Sequence, residues 1–162
     1  MQCSLERKRL ATGEPLDSYP APPRLMLGIV DWGGTIDTQT FHQTMLSRPT
    51  ASSQLREAIA AIRTGLYRSE PALIGWGATH SALAHQALLP KPGLAQLVQL
   101  VKDAGGYGLC VAHTGTVAGL LMDPDTDGQE MRRHCLRLHS GLRWLGQAHL
   151  CGGGVVFSRT TA

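Results

Sequence analysis

The chain has 162 residues, of which 43% are hydrophobic, 17% charged and only 5% aromatic, with a formal net charge of +3. That length suits one domain with its own hydrophobic core and is too short for two of ordinary size. Scarce aromatics argue against a stacking platform for single-stranded nucleic acid, and the basic runs are too short for a nucleic-acid or membrane stripe and read as solvated surface.

The densest of those runs are Arg7-Lys8-Arg9 and Arg132-Arg133 with Arg137. Cys3, Cys110, Cys135 and Cys151 lie far apart with no C-x-x-C spacing. They suggest neither a disulfide framework nor a zinc site and fit a reducing compartment. No apolar stretch follows the N-terminal basic residues as in a signal peptide. No apolar run approaches the ~20 residues that span a bilayer. The expectation is a soluble, cytoplasmic protein.

Residues 1–23 are polar and rich in breakers, with Gly13, Pro15, Pro20, Pro22 and Pro23, and read as an extended lead-in in which the prolines disfavour a helix. The folded domain is expected over 24–162. Leu25 to Val30 is an apolar run closed by the turn chemistry of Asp31-Trp32-Gly33-Gly34, and predicts a buried strand. The Thr-rich stretch from Thr35 to Pro49 has no clear pattern.

From Ser52 the period becomes helical, with Ser52 or Ser53 as cap and Leu55, Ile59, Ile62 and Leu66 on one face. Ser69-Glu70-Pro71 opens a second helix running towards Leu89 and ending before Pro90. Gly75 and Gly77 inside it weaken its propensity by about 1 kcal/mol each and suggest either a close backbone approach or a poor helix. Pro92 opens a third helix with Leu94, Leu97, Val98 and Val101 inward and Gly105-Gly106 as its stop.

Tyr107–Ala112 and Val117–Met122 predict two strands paired as a hairpin around His113-Thr114-Gly115-Thr116. Asp127 starts a helix carrying Met131, Cys135 and Leu138 on one side. Gly152-Gly153-Gly154 precedes a last predicted strand, Val155-Val156-Phe157. This order predicts an α+β fold of the ferredoxin-like type, an antiparallel sheet with helices on one face.

Chemistry-bearing patterns are few. His80 and His85 are five apart, as are His134 and His139, whereas ligands on one helix face stand three or four apart, so no metal site is assigned. No G-x-S-x-G elbow is present. The turn His113-Thr114-Gly115-Thr116 is either an anion-binding nest or a plain hairpin turn of small residues. The stretch from Asp31 to Thr38, with two carboxylates and two hydroxyls after a strand end, is either ligand-facing or a polar loop. Neither a Walker loop nor G-x-G-x-x-G occurs.

Three segments, read in order, resemble a known family. Val30-Asp31-Trp32-Gly33-Gly34-Thr35-Ile36-Asp37-Thr38, with Phe41 after it, is similar to the opening of the C-terminal half of L-threonine kinases, members of the GHMP superfamily of small-molecule kinases. Ser81-Ala82-Leu83-Ala84-His85-Gln86-Ala87-Leu88-Leu89-Pro90-Lys91-Pro92-Gly93 resembles their "SA…Q…LPKPG" signature. Tyr107 to Leu121 resembles their "GL.VAHSGSV.GL" strand–turn–strand. The resemblance runs from about Pro22 to Phe157, and residues before it fit the family's domain junction.

The resemblance implies a two-domain kinase that phosphorylates the hydroxyl of L-threonine with Mg-ATP. Its product, threonine phosphate, supplies the aminopropanol linker of cobalamin. In the superfamily the N-terminal domain holds the phosphate-wrapping loop and the acidic residues, while the C-terminal domain closes the cleft and helps to hold the acceptor. Carried over by position, Asp31, Gly33, Gly34, Asp37 and Thr38, then Ser81, Gln86 and Lys91, then His113, Thr114, Gly115 and Thr116 are the implied substrate-binding residues. Lys91 is suited to a carboxylate or phosphate. The third motif is poorer in glycine than is usual, with Gly115 and Gly119 only, which favours a role in shaping the acceptor pocket over direct phosphate contact.

The superfamily's P-S-S-x-G-[LM]-[AG]-S-S loop is absent from the 162 residues. Positioning and neutralising the donor phosphate is most of phosphoryl-transfer catalysis. The chain alone is therefore expected to be inactive, as a split gene product, a truncated reading frame or an excised domain. Its expected partner is the missing N-terminal kinase domain, in trans or as the rest of a longer chain, with ATP and Mg bound by the complete enzyme. Two other readings stand beside this one: half of a kinase for another small hydroxylated substrate such as homoserine or pantoate, or a free-standing domain that binds a small molecule or a partner.

Overall fold

The computed structural model describes residues 4–8, 15–35, 37, 53–112, 115–139, 141–150 and 152. In chain order the elements are β1 (Ser4–Lys8), β2 (Pro15–Pro20), β3 (Met26–Asp31), α1 (Ser53–Arg68), α2 (Pro71–His85), α3 (Leu94–Asp103), β4 (Gly108–Val111), β5 (Val117–Met122), α4 (Gly128–Leu138) and β6 (Arg143–His149). The last four strands form one sheet in the order β4-β5-β3-β6, with every neighbouring pair antiparallel. The fold is α+β, as expected, and β4 pairs with β5 in the predicted hairpin. Val155-Val156-Phe157, predicted as the last strand, lies outside the described residues, as do Thr38 and the rest of the Thr-rich stretch to 52.

Strand periodicity sends alternate residues to opposite faces. Met26 and Val30 of β3, Ala118, Leu120 and Met122 of β5 and Leu109 of β4 share one face. They are buried against Leu94, Leu97 and Val101 of α3 and Met131 and Cys135 of α4. The inward stripe of α3 is the one its sequence predicts, although Gly93, with φ of 73°, is its N-cap and Pro92 stands just outside. Helix α4 starts at Asp127 as predicted, and the Asp127 carboxylate caps it, accepting hydrogen bonds from the backbone N–H groups of Gln129 and Glu130. Leu138, however, is 37% exposed.

Helices α1 and α2 form a close antiparallel pair, and the expected face of α1 holds for Leu66 and Ile62 but not for Ile59. Ala58, Gly65 and Leu66 are buried, whereas Ile59 is 37% exposed. Small residues win the seam because they let the backbones approach: a Cβ at Gly77 would lie 2.5 Å from the Ala58 carbonyl oxygen. Gly75 settles the other open question, since a Cβ there would run into the Tyr107 carbonyl. Helix α2 thus lies directly along β4, and Thr79 Oγ1 accepts a hydrogen bond from the Leu109 N–H at 3.0 Å. An edge strand covered in this way presents fewer unpaired groups.

Three strands depart from expectation. The lead-in carries a hairpin of β1 and β2, with Leu5 opposite Tyr19, and Tyr19 is buried with Leu66 and Ile74. Strand β6 was not anticipated. It pairs with β3 from Met26↔His149 to Asp31↔Arg143, and its side chains are largely exposed, as befits the opposite edge of the sheet.

Candidate functional site

Asp31 ends β3, where Val117 of β5 and Arg143 of β6 stand opposite it on either side. Its carboxylate is buried at 6% exposure. Oδ1 accepts a hydrogen bond from the Gly33 N–H at 2.9 Å and from the Thr116 hydroxyl at 2.5 Å. The Arg143 guanidinium donates to Oδ2 and forms an ion pair with it. The Thr116 and Gly33 hydrogen bonds, with the nearby Arg143 charge, favour the ionised form and hold the Asp31 carboxyl below its ordinary value, against the opposing effect of burial. The turn that delivers Gly33 requires φ of 74° there and 85° at Gly34, a left-handed conformation that glycine adopts without steric cost.

A second set of bonds fixes the loop between α2 and α3. The Lys91 N–H donates to Gln86 Oε1 at 2.6 Å, and Gln86 Nε2 donates back to the Lys91 carbonyl at 3.1 Å. One side chain thereby clamps both main-chain groups of Lys91. Helix α2 stops at His85 rather than near Leu89, and the following turn is closed by Leu88 and Leu89 N–H groups donating to the His85 carbonyl. The Trp32 indole N–H donates to the Pro92 carbonyl at 2.7 Å, and the Trp32 backbone N–H donates to the Thr116 carbonyl at 3.0 Å.

Through Trp32 the three segments meet. They enclose a cavity of about 270 Å³ lined by Trp32 and Gly33, by the Leu89–Pro92 loop, and by Gly115, Thr116 and His139. Lys91 is only 5% exposed, and among the described residues its Nζ has no hydrogen-bond partner. Burial pushes its ammonium below the ordinary lysine value. His139 follows α4, and its Nδ1 accepts from the Gly141 N–H at 3.1 Å.

Of the residues singled out from sequence, Gly33, Lys91, Gly115 and Thr116 line the cavity, and Asp31 and Gln86 hold those residues in place from behind. Gly34, Asp37 and Ser81 do not line it, and Thr38, His113 and Thr114 lie outside the described residues. Sequence reasoning passed over Trp32, His139 and Arg143 as site residues. Trp32 sat inside a motif already noted, whereas Arg143 belongs to a stretch without any pattern.

No family profile matches the chain. It is 36% identical over 104 residues to the L-threonine kinase of Salmonella typhimurium, covering 63% of this chain and 35% of that one. To the L-threonine kinase of Citrobacter freundii it is 33% identical over 105 residues, 64% of this chain and 36% of the relative. Among solved structures, the L. major mevalonate kinase in complex with R-mevalonate superposes with a TM-score of 0.61 at 18% identity, over 93% of this chain and 48% of that one. The homoserine kinase of Cytophaga hutchinsonii gives 0.57 at 19% identity, over 85% and 44%.

The fold is that of the C-terminal domain of GHMP-type kinases. Streptococcus pneumoniae phosphomevalonate kinase shares it too, with a TM-score of 0.58 at 15% identity, over 88% of this chain and 48% of that one. The chain is a sequence relative of L-threonine kinases and spans about a third of the length of those it matches.

Proposed function

We propose that this chain is the acceptor-side part of an ATP-dependent kinase that phosphorylates the side-chain hydroxyl of L-threonine, giving L-threonine O-3-phosphate for cobalamin biosynthesis. One observation carries the reading: the three segments that resemble L-threonine kinases, far apart in sequence, converge on a single small cavity. The two curated relatives, both L-threonine kinases, support it. The cavity suits an acceptor of amino-acid size, since drug-sized ligands occupy roughly 300–1,000 Å³.

On this reading the cavity is the acceptor's and not that of Mg-ATP. Among the described residues its lining holds one ammonium for a polyanionic triphosphate, and the nearby Asp31 carboxylate is already engaged by Thr116, Gly33 and Arg143. Donor binding is accordingly assigned to protein beyond these residues, an N-terminal kinase domain supplied in trans or as the rest of a longer chain. Positioning and charge neutralisation dominate phosphoryl transfer, so the chain alone is inactive on this reading. Its free Cys110 and Cys135 suit a reducing cytoplasm, and no helix of the described residues is long and apolar enough to cross a membrane.

The test is phosphorus NMR of the purified chain with Mg-ATP and L-threonine, with and without a separately made N-terminal half, and with homoserine and pantoate as competing acceptors. Threonine phosphate in the complemented sample alone is the expected result. Product from the chain alone would refute the assignment of the donor site. Turnover of homoserine or pantoate in preference to L-threonine would refute the acceptor.

A further inference from the structure

Most of the side-chain hydrogen-bonding capacity on the cavity wall is already committed. The Trp32 indole N–H donates to the Pro92 carbonyl and the Thr116 hydroxyl to Asp31. Lys91 Nζ is closed to solvent, and the remaining lining residues apart from His139 are leucine, proline and glycine. His139 differs. It is half-buried, and its ring is oriented by two neighbours. Nδ1 accepts from the Gly141 N–H at 3.1 Å, while Cδ2 lies towards Gly93, where a Cβ would stand 3.7 Å away. Nε2 is left as the free edge of the ring. It has no partner among the described residues and is not one of their buried, unpartnered polar atoms, so it is open to solvent.

A neutral imidazole carries one N–H and one bare nitrogen, and the bond made by one fixes the role of the other. Because Gly141 donates to Nδ1, the proton sits on Nε2. Nε2 is therefore a donor and does not serve as a base. The turn that carries the ring is fixed as well: the His139 carbonyl accepts from the Leu142 N–H at 3.0 Å, and Leu142 is buried in the core. Little ordering remains to be done when a ligand arrives.

We propose that His139 is a specificity-determining residue of this cavity, its Nε2–H donating a hydrogen bond to one oxygen of a small, partly apolar ligand. A wall of Trp32, Leu89, Pro90 and Pro92 with one open side-chain donor among the described residues selects such a molecule. The carbon skeleton meets the apolar wall, and the oxygen sets the orientation. The inference deepens the kinase reading and rests on it only for the ligand's identity: in that reading the oxygen is the carboxylate or the hydroxyl of L-threonine.

The test is nitrogen-15 NMR of the histidine rings in the labelled chain, with His139 assigned by the signal that His139→Asn removes. Wild type should show the Nε2–H tautomer at His139, and L-threonine should shift that Nε2 saturably. L-threoninol lacks the carboxylate and L-2-aminobutyrate the hydroxyl, so whichever leaves Nε2 unmoved names the oxygen. In His139→Asn the new amide oxygen can still accept from Gly141 but the side chain falls short of Nε2. That variant should melt within about 2 °C of wild type and bind L-threonine roughly three- to tenfold more weakly. His139→Gln, whose amide N–H reaches as far as Nε2, should recover part of the loss.

An Nε2 shift with homoserine or pantoate but not with L-threonine would keep His139 as the donor and refute the L-threonine acceptor. L-threonine binding that is undiminished in His139→Asn would overturn the proposal and leave the acceptor reading standing. An Nδ1–H tautomer, an Nε2 that no probe moves, or equal losses of binding and Tm in both variants would overturn it as well.

Discussion

Replacing Thr116 with Val removes one hydroxyl and almost no volume, which isolates the bond that ties β5 to the end of β3. In the wild type that hydroxyl donates at 2.5 Å to a buried carboxylate. A hydrogen bond to a charged group contributes about 1.5–3 kcal/mol. For a domain of this size each kcal/mol moves Tm by roughly 2–4 °C, so Thr116→Val should melt about 3–12 °C lower at neutral pH. The Arg143 pair is a poorer support because Arg143 is 65% exposed, and Arg143→Met should cost only about 0–1 kcal/mol.

The pH dependence supplies the sign. Asp31 is held below its ordinary value of 3.8, with the Thr116 bond the largest cause. A carboxylate whose folded value is depressed stabilises the fold above its unfolded value and loses that contribution as pH falls through the folded one. The gap between wild type and Thr116→Val should therefore be full near pH 7 and shrink below about pH 3.8. Urea unfolding followed by circular dichroism across that range measures it. A loss under about 0.5 kcal/mol at neutral pH, the level of an ordinary surface substitution, would refute the claim that Asp31 and Thr116 hold the strand ends together. A gap that stayed constant into acid would refute the charged character of the bond.

Gly75→Ala should destabilise the chain by about 3 kcal/mol or more, because its Cβ meets the Tyr107 backbone, which cannot step aside as a side-chain end can; urea midpoints of the two proteins check this. Asp127→Ala removes the side chain that accepts from Gln129 and Glu130, and should cost about 1 kcal/mol of stability. Melting curves would show it, and an unchanged Tm would mean that α4 is held by packing alone.

Much of the framework was legible locally. Val117–Met122, the start of α4 at Asp127 and the inward stripe of α3 each follow from periodicity and end signals carried within a few residues. On α1 only Ile59 was misplaced on the buried face, because the small residues Ala58 and Gly65 make the closer seam with α2. Strand β6 was missed because Arg-Trp-Leu-Gly-Gln-Ala-His lies at a solvated sheet edge, where burial imposes little alternation. The ends of α2 and α3 depend on Gln86 reaching Lys91 and on Gly93, and a pattern of apolar residues does not encode those bonds.

By itself, then, the sequence determined an α+β domain and three segments resembling L-threonine kinases. Only the tertiary structure decided which of their residues meet. Trp32, Lys91 and Thr116 come together because β3 pairs with β5 and the indole of Trp32 bonds to the Pro92 carbonyl. Arg143 reaches Asp31 only because β6 returns beside β3. Side-chain and strand pairing across a fold depends on partners remote in sequence, so a residue whose role is set by such a partner carries no local signal of it.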